Sequence, residues 1–255
     1  MPAQSHSELS RSHGSSPPHG AHLWQQLVNI HRDVEATDWG AIVLGNVWPA
    51  YLFALPLAAR VWGLLHQPPP TSLHEQASAL QELVTIIFLG LVVVLFAIRR
   101  RRVRGRRASW REGVVALAGT FLLNAVAYIP APDQSNVTTG VLLVSSLVVV
   151  GGTLFSIWSL ASLGRSFGLL PEVRGLVMRG PYRLVRHPVY LGELISAFGI
   201  LIAKPQPLIV AIFGLFVVLQ YWRTRFEERA LSDAFPVEYP AYRAGVPRLV
   251  PGWRT

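Results

Sequence analysis

The chain has 255 residues, 51% of them hydrophobic and 15% charged, with a formal net charge of +9 and no cysteine. A soluble domain of this length carries more charge and fewer unbroken apolar runs, so the composition points to a single polytopic α-helical membrane domain. The missing cysteine excludes disulfides, thiolate metal sites and cysteine nucleophiles.

Residues Met1 to about Asp38 are polar, rich in Ser, His, Gly and Pro, and without the apolar core of a signal peptide. They are expected to form a disordered cytosolic tail (1–38), with 39–255 as the membrane domain. His6, His13, His19 and His22 have no fixed spacing or acidic partners and are read as solvated tail, so no metal site is expected. Leu23, Leu27, Ile30 and Val34 have partial helical periodicity and suit a segment lying on the membrane surface.

Six apolar runs follow, implying about six transmembrane helices: Ile42 to Leu65, Leu83 to Ile98, Gly113 to Ile129, Gly140 to Leu163, Val189 to Ala203 and Pro207 to Trp222. Arg60, near the end of the first, is expected to snorkel towards water. The last two runs, joined by Lys204-Pro205-Gln206, are expected to form a short hairpin. The cluster Arg99 to Arg107 lies between two apolar runs, so it reads as a cytoplasmic, lipid-facing loop, not as a nucleic-acid site. The basic loop Gly164 to His187 and the tail from Arg223 then fall on the same side, which puts both termini in the cytoplasm.

The densest chemistry lies in R-G-P-Y-R-L-V-R-H-P-V-Y-L-G-E, Arg179 to Glu193. Pro188 has no N–H and pushes His187 out of helical conformation, so a helix begins at Pro188 with His187 at the N-cap. The free N–H groups of that first turn suit an anion; a basic turn meeting lipid phosphates is the other reading. After the last run, Phe226, Ala230, Leu231, Ala234 and Phe235 share a helical face, with Glu227 near its middle and Glu228 at its edge. A carboxylate there must be liganded or paired, with a salt bridge to an arginine as the alternative to a functional role. The aromatic segment Tyr239, Tyr242, Val246 and Pro251 is expected to fold back, as a lid or as a clamp. A ligand meeting both the basic and the acidic groups would be zwitterionic, as S-adenosylmethionine is, although a lipid headgroup or a nucleotide fits the spacing equally.

Three ordered blocks then carry a resemblance: G-P-Y-R-L-V-R-H-P-V-Y-L-G (Gly180 to Gly192), E-E-R-A-L-S-D-A-F (Glu227 to Phe235) and Y-P-A-Y-R-A-G-V-P-R-L-V-P (Tyr239 to Pro251). Together with L-G-R-S-F (Leu163 to Phe167), they resemble the isoprenylcysteine carboxyl methyltransferases and the related membrane phospholipid methyltransferases. The resemblance implies a cofactor-binding part at about 160–255 that holds S-adenosylmethionine at the cytosolic face while a lipid or lipidated acceptor arrives from the bilayer. It implies cofactor contacts from Leu163, Gly164, Tyr182, Arg186, His187, Pro188, Tyr190, Leu191, Gly192, Glu227 and Glu228. Methyl transfer would involve Glu227 and Glu228, with an arginine such as Arg183 or Arg225 positioning a carboxylate acceptor. Sterol reductases have a similar R-H-P-x-Y-x-G block but usually place Asn where Val189 stands; a non-enzymatic scaffold is the remaining reading.

Overall fold

A computed structural model describes residues 43–100, 108–126, 129 and 138–252. The chain divides into Met1–Gly45 and Asn46–Thr255, and the α-helices from Trp48 to Gly245 all belong to the second unit. The expectations for the tail, for its histidines, for Leu23 to Val34 and for Arg101 to Arg107 lie outside the described residues.

Among the described residues seven α-helices carry the fold: α1 (Trp48–His66), α2 (Leu73–Ile98), α3 (Trp110–Val126), α4 (Thr139–Leu163), α5 (Pro188–Ala203), α6 (Pro207–Ala234) and α7 (Glu238–Gly245). Single 3₁₀ turns stand at Gly164–Ser166 and Gly180–Arg183, and there is no strand among the described residues. This is a polytopic all-α membrane protein. Helices α1, α2, α4 with its following turn, and α6 are long and apolar enough to cross a bilayer.

Helices α1 to α6 coincide with the six apolar runs, but two boundaries move. Helix α2 begins ten residues before Leu83, because Ser72 and Glu75 form a reciprocal capping box: each side chain accepts the other's backbone N–H at 3.2 Å. Helix α6 does not stop at Trp222 but continues as one 28-residue helix through Ala234. The expected separate amphipathic helix is thus its last third, and the hairpin pairs a short α5 with a long α6. Helix α5 has 16 residues, about 24 Å at the helical rise and less than the ~30 Å hydrocarbon core.

Connections alternate between the two ends of the bundle. At one end Arg100 N–H donates to the Arg165 carbonyl at 2.8 Å, and Arg165 Nε donates to the Ile98 carbonyl at 3.1 Å. At the other, Lys204 Nζ reaches the Ile129 carbonyl at 3.4 Å. The apolar core joins α1, α2 and α4 to the chain after α4, with Phe96 stacked on Phe53 at 5.7 Å and meeting Phe167 edge-on at 5.0 Å.

Helices α4 and α5 make the closest contact, and small residues make it possible. A Cβ at Gly192 would stand 2.3 Å from Ser156 Oγ and 2.6 Å from the Gly152 carbonyl. Serines use the proximity: Ser145 donates to Gly199 O at 2.8 Å, Ser156 to Val189 O at 3.2 Å and Ser196 to Val149 O at 3.2 Å. Lipid offers no hydrophobic drive for helix association, so close packing and such bonds provide it. Gly192→Ala is therefore expected to destabilise the protein by about 1–3 kcal/mol, the cost of overpacking. Gly214→Ala on α6, where an added Cβ meets nothing within 4 Å, is expected to be neutral or to gain up to about 1 kcal/mol. Thermal unfolding of both variants in detergent checks the contrast.

Candidate active site

A cavity of about 550 Å³ runs inside the bundle, lined by residues of α1 to α7 and of the 164–187 loop. That volume suits a cofactor-sized ligand or a lipid chain. Its basic and acidic end gathers Tyr182, Arg186, His187, Tyr190, Glu193, Arg223, Glu227, Tyr239 and Tyr242.

The local backbone places these groups. Helix α5 starts at Pro188 as the sequence requires, and His187 holds the non-helical N-cap position before it. The expected fold-back of the C-terminal segment takes the form of a clamp. Arg186 N–H donates to Pro247 O at 2.8 Å and His187 N–H to Arg248 O at 3.1 Å. Tyr242 Oη donates to Tyr182 O at 2.6 Å. Glu228 is the anchor, accepting from Arg186 Nε at 2.9 Å, from Arg248 Nε at 3.0 Å and from Arg248 Nη2 at 2.8 Å. Arg186 also donates through Nη1 to the carbonyls of Arg243 at 2.9 Å and Val246 at 2.7 Å.

The two glutamates therefore face different ways. Glu228, whose side chain is 6% exposed, is taken up by two guanidinium groups and does not line the cavity, whereas Glu227, 26% exposed, does. Tyr190 Oη donates to Glu227. His187 lies between the pair, with Nδ1 3.6 Å from Glu227 and Nε2 3.4 Å from Glu228. On the far side of Tyr190, the Arg223 guanidinium stands 4.4 Å over the ring, donates to Gln220 at 3.0 Å and lies 3.7 Å from Glu193. Gly119 of α3 makes room for it, since a Cβ there would meet Arg223 Cδ at 2.8 Å.

Of the residues singled out in the sequence, Leu163, Tyr182, Arg186, His187, Tyr190 and Glu227 line the cavity. Gly164, Pro188, Leu191, Gly192 and Glu228 surround it without lining it, and Gly192 serves helix packing. Arg183 and Arg225 are not brought in: Arg183 is exposed, and Arg225 lies over the Tyr221 ring at 5.9 Å. The arginine that faces the cavity is Arg223, two residues before Arg225 and so about 200° away around α6. Sequence reading gave no site role to Glu193, Gln220 or Arg248, and gave Tyr239 only a place in the segment that folds back. The signal for Glu193 and Arg223 was their charge inside apolar helices.

Burial alone would lower the His187 imidazole, but Glu227 and Glu228 outweigh it and hold the ring above its ordinary value. Burial raises Tyr182 and Tyr239, reinforced by Glu227 and Glu228 respectively, and pushes Tyr242 up to about 12. All three phenols thus remain protonated donors.

A family model described as phospholipid methyltransferase matches residues 140–238. This part of the chain is thus similar to that membrane methyltransferase family. The chain is 32% identical over 112 residues to protein-S-isoprenylcysteine O-methyltransferase A of Arabidopsis thaliana, covering 41% of this chain and 56% of that protein. Its B counterpart from the same plant is 31% identical over 111 residues, with the same shares. The cobalt-zinc-cadmium resistance protein CzcN of Cupriavidus metallidurans is 34% identical over 98 residues, covering 36% and 45%. The chain thus spans about half the length of these relatives. The family segment contains His187, Tyr190, Glu227 and Glu228 and leaves out α1 to α3.

Two outcomes follow for the site. Glu228→Ala would leave Arg186 and Arg248 buried without their anion, at an expected cost of about 3–5 kcal/mol in unfolding measurements. His187 has a raised folded value, so its contribution is complete below its unfolded value of about 6.5 and is lost as pH rises through the folded value. His187→Gln is expected to flatten the decline of melting temperature from about pH 6.5 upward; an unaltered profile would show that the imidazole does not titrate there.

Proposed function

We propose that the chain is an S-adenosylmethionine-dependent methyltransferase that acts on a lipid or lipidated acceptor entering from the bilayer. The observation that carries the reading is the continuity of one cavity from the cluster His187, Tyr190 and Glu227 into an apolar interior lined by Phe53, Leu89, Val92 and Val149. The polar end suits the cofactor's groups. Glu227 offers a carboxylate, fixed by Tyr190, to an ammonium or to ribose hydroxyls. The Tyr239 hydroxyl is buried without a hydrogen-bond partner, which leaves it available to a ligand.

When bound, the cofactor supplies a methyl group already activated for displacement. The chain's part is then to align the acceptor and keep water out. Arg223 is placed to hold an anionic acceptor: its Nε is buried without a partner, and Glu193 is shared with Gln220. That favours a carboxylate of the isoprenylcysteine kind over a phospholipid amine. Arg99, Arg165, Arg174 and Arg183 cluster at the site's end of the bundle, so the positive-inside rule assigns the site and both termini to the cytosol, and to the inner membrane in a bacterium.

Calorimetry with S-adenosylhomocysteine tests the cofactor. Binding is expected, at least tenfold weakened in His187→Ala and Glu227→Gln; no heat and no thermal shift in the unaltered protein would sink the proposal, and protection by NADPH instead would favour a reductase. Arg223→Gln is expected to raise KM for a farnesylated cysteine carboxylate about 10–100-fold, as befits a lost bond to a charged group, with affinity for S-adenosylhomocysteine unchanged. Transfer of radiolabelled methyl to a phospholipid amine, indifferent to Arg223, would assign the amine as acceptor.

A further inference from the structure

The cavity has a second polar end. Besides the site already described, its lining includes Arg60 of α1 and His74, Ser78, Gln81 and Thr85 of α2. These four α2 residues recur at helical spacing and so share one face; the same face continues as Phe88 and Val92. One inward stripe is thus polar for its first turns and apolar towards the methyl-transfer end.

The groups at this end are committed to one another only in part. Arg60 does not snorkel freely: its Nη1 donates to Glu82 at 2.6 Å, joining α1 to α2. That pair neutralises itself and explains the contact between the two helices. It does not explain the row beside it. Thr85 Oγ1 donates to the Gln81 carbonyl at 2.8 Å, His74 Nδ1 is buried without a partner, the half-buried amide of Gln81 lines the cavity on the same face, and Ser78 on that face is exposed. Buried polar atoms in a membrane protein are normally satisfied, so a row that faces a cavity implies an occupant with matching groups.

The spacing sets the size of that occupant. The site's end lies near Leu95 and Phe96, which pack against Leu160 and Phe167. From Thr85 to Leu95 is ten residues, about 15 Å of helix, and Phe88, Leu89, Val92 and Val149 line the interval.

We propose that this second end is a subsite for a neutral hydrogen-bonding group, such as a hydroxyl, at the far end of a long-chain ligand whose other end reaches the methyl-transfer site. The Arg60–Glu82 pair is neutral as a whole and Lys204, which also lines the cavity, turns its Nζ to the Ile129 carbonyl, so the α2 row itself offers only neutral donors and acceptors and the matching group is neutral. Naming the ligand as the methyl acceptor rests on the methyltransferase reading; the subsite itself does not. Helices α1 to α3 lie outside the family segment.

Native mass spectrometry of the purified full chain, titrated with hexadecanoic acid and with ω-hydroxyhexadecanoic acid, tests this. The hydroxy acid is expected to bind about tenfold more tightly, the worth of one or two added hydrogen bonds. Gln81→Leu and, separately, His74→Phe are expected to remove most of that preference while leaving hexadecanoic acid unaffected. Equal affinities for the two acids in the unaltered chain, no binding of either, or a preference that survives both substitutions would overturn the subsite. The unaltered chain alone decides the first two outcomes, whatever the variants' stability. Calorimetry with S-adenosylhomocysteine on the same sample separates the two ideas: no response there, with the hydroxyl preference intact, refutes the methyltransferase and leaves the subsite standing.

Discussion

One buried carboxylate holds two distant parts of the chain together. Glu228, on the last third of α6, binds Arg186 just before α5 and Arg248 near the end of the described chain. The three groups carry one net positive charge, and burying it is eased by the further backbone partners of Arg186 and by the Tyr221 ring 6.0 Å from the Arg248 guanidinium. Arg186 Nη1 takes two carbonyls of the C-terminal segment, and the Glu227 carboxylate is 3.6 Å from His187. The clamp therefore sets where His187 stands, and His187 in turn lies between the carboxylates that shape the cavity's polar end.

Much of this was legible in the residues, for identifiable reasons. Proline fixes backbone without tertiary help, so the start of α5 at Pro188 and the N-cap place of His187 were readable. The six apolar runs gave six helices because burial in lipid is a local, additive property of sequence. Two boundaries were not readable by hydropathy. The first turns of α2 are polar and are held by a capping box between Ser72 and Glu75. The polar end of α6 stays helical because its charges find partners on other elements, chiefly Arg186 and Arg248.

The choice among arginines was harder still. Arg183, Arg223 and Arg225 look alike in the sequence, and only the rotation of α6 in the packed bundle turns Arg223 inward over Tyr190. The division of labour between Glu227 and Glu228 has the same origin. Adjacent residues on a helix point about 100° apart, so the C-terminal segment can take up Glu228 while the cavity keeps Glu227. A periodicity argument put Glu227 at the centre of the apolar face and Glu228 at its edge; packing of the C-terminal segment made Glu228 the more deeply buried of the two.

Helix α3 shows how a part of the chain outside the family segment can still shape the site. Arg223 lies deep in the bundle, where an isolated charge is costly. Its partners are Gln220, Glu193 and the face of Tyr190, all on α5 and α6. The space for its stem comes from elsewhere: Gly119 of α3 leaves a gap that a single methyl group would close, at 2.8 Å from Arg223 Cδ. The chemistry is thus carried by the two helices that hold the charges, and its geometry by a neighbour that contributes the absence of a side chain. Sequence comparison weights the former, because charged residues are identifiable letters; only the packed structure reveals the latter.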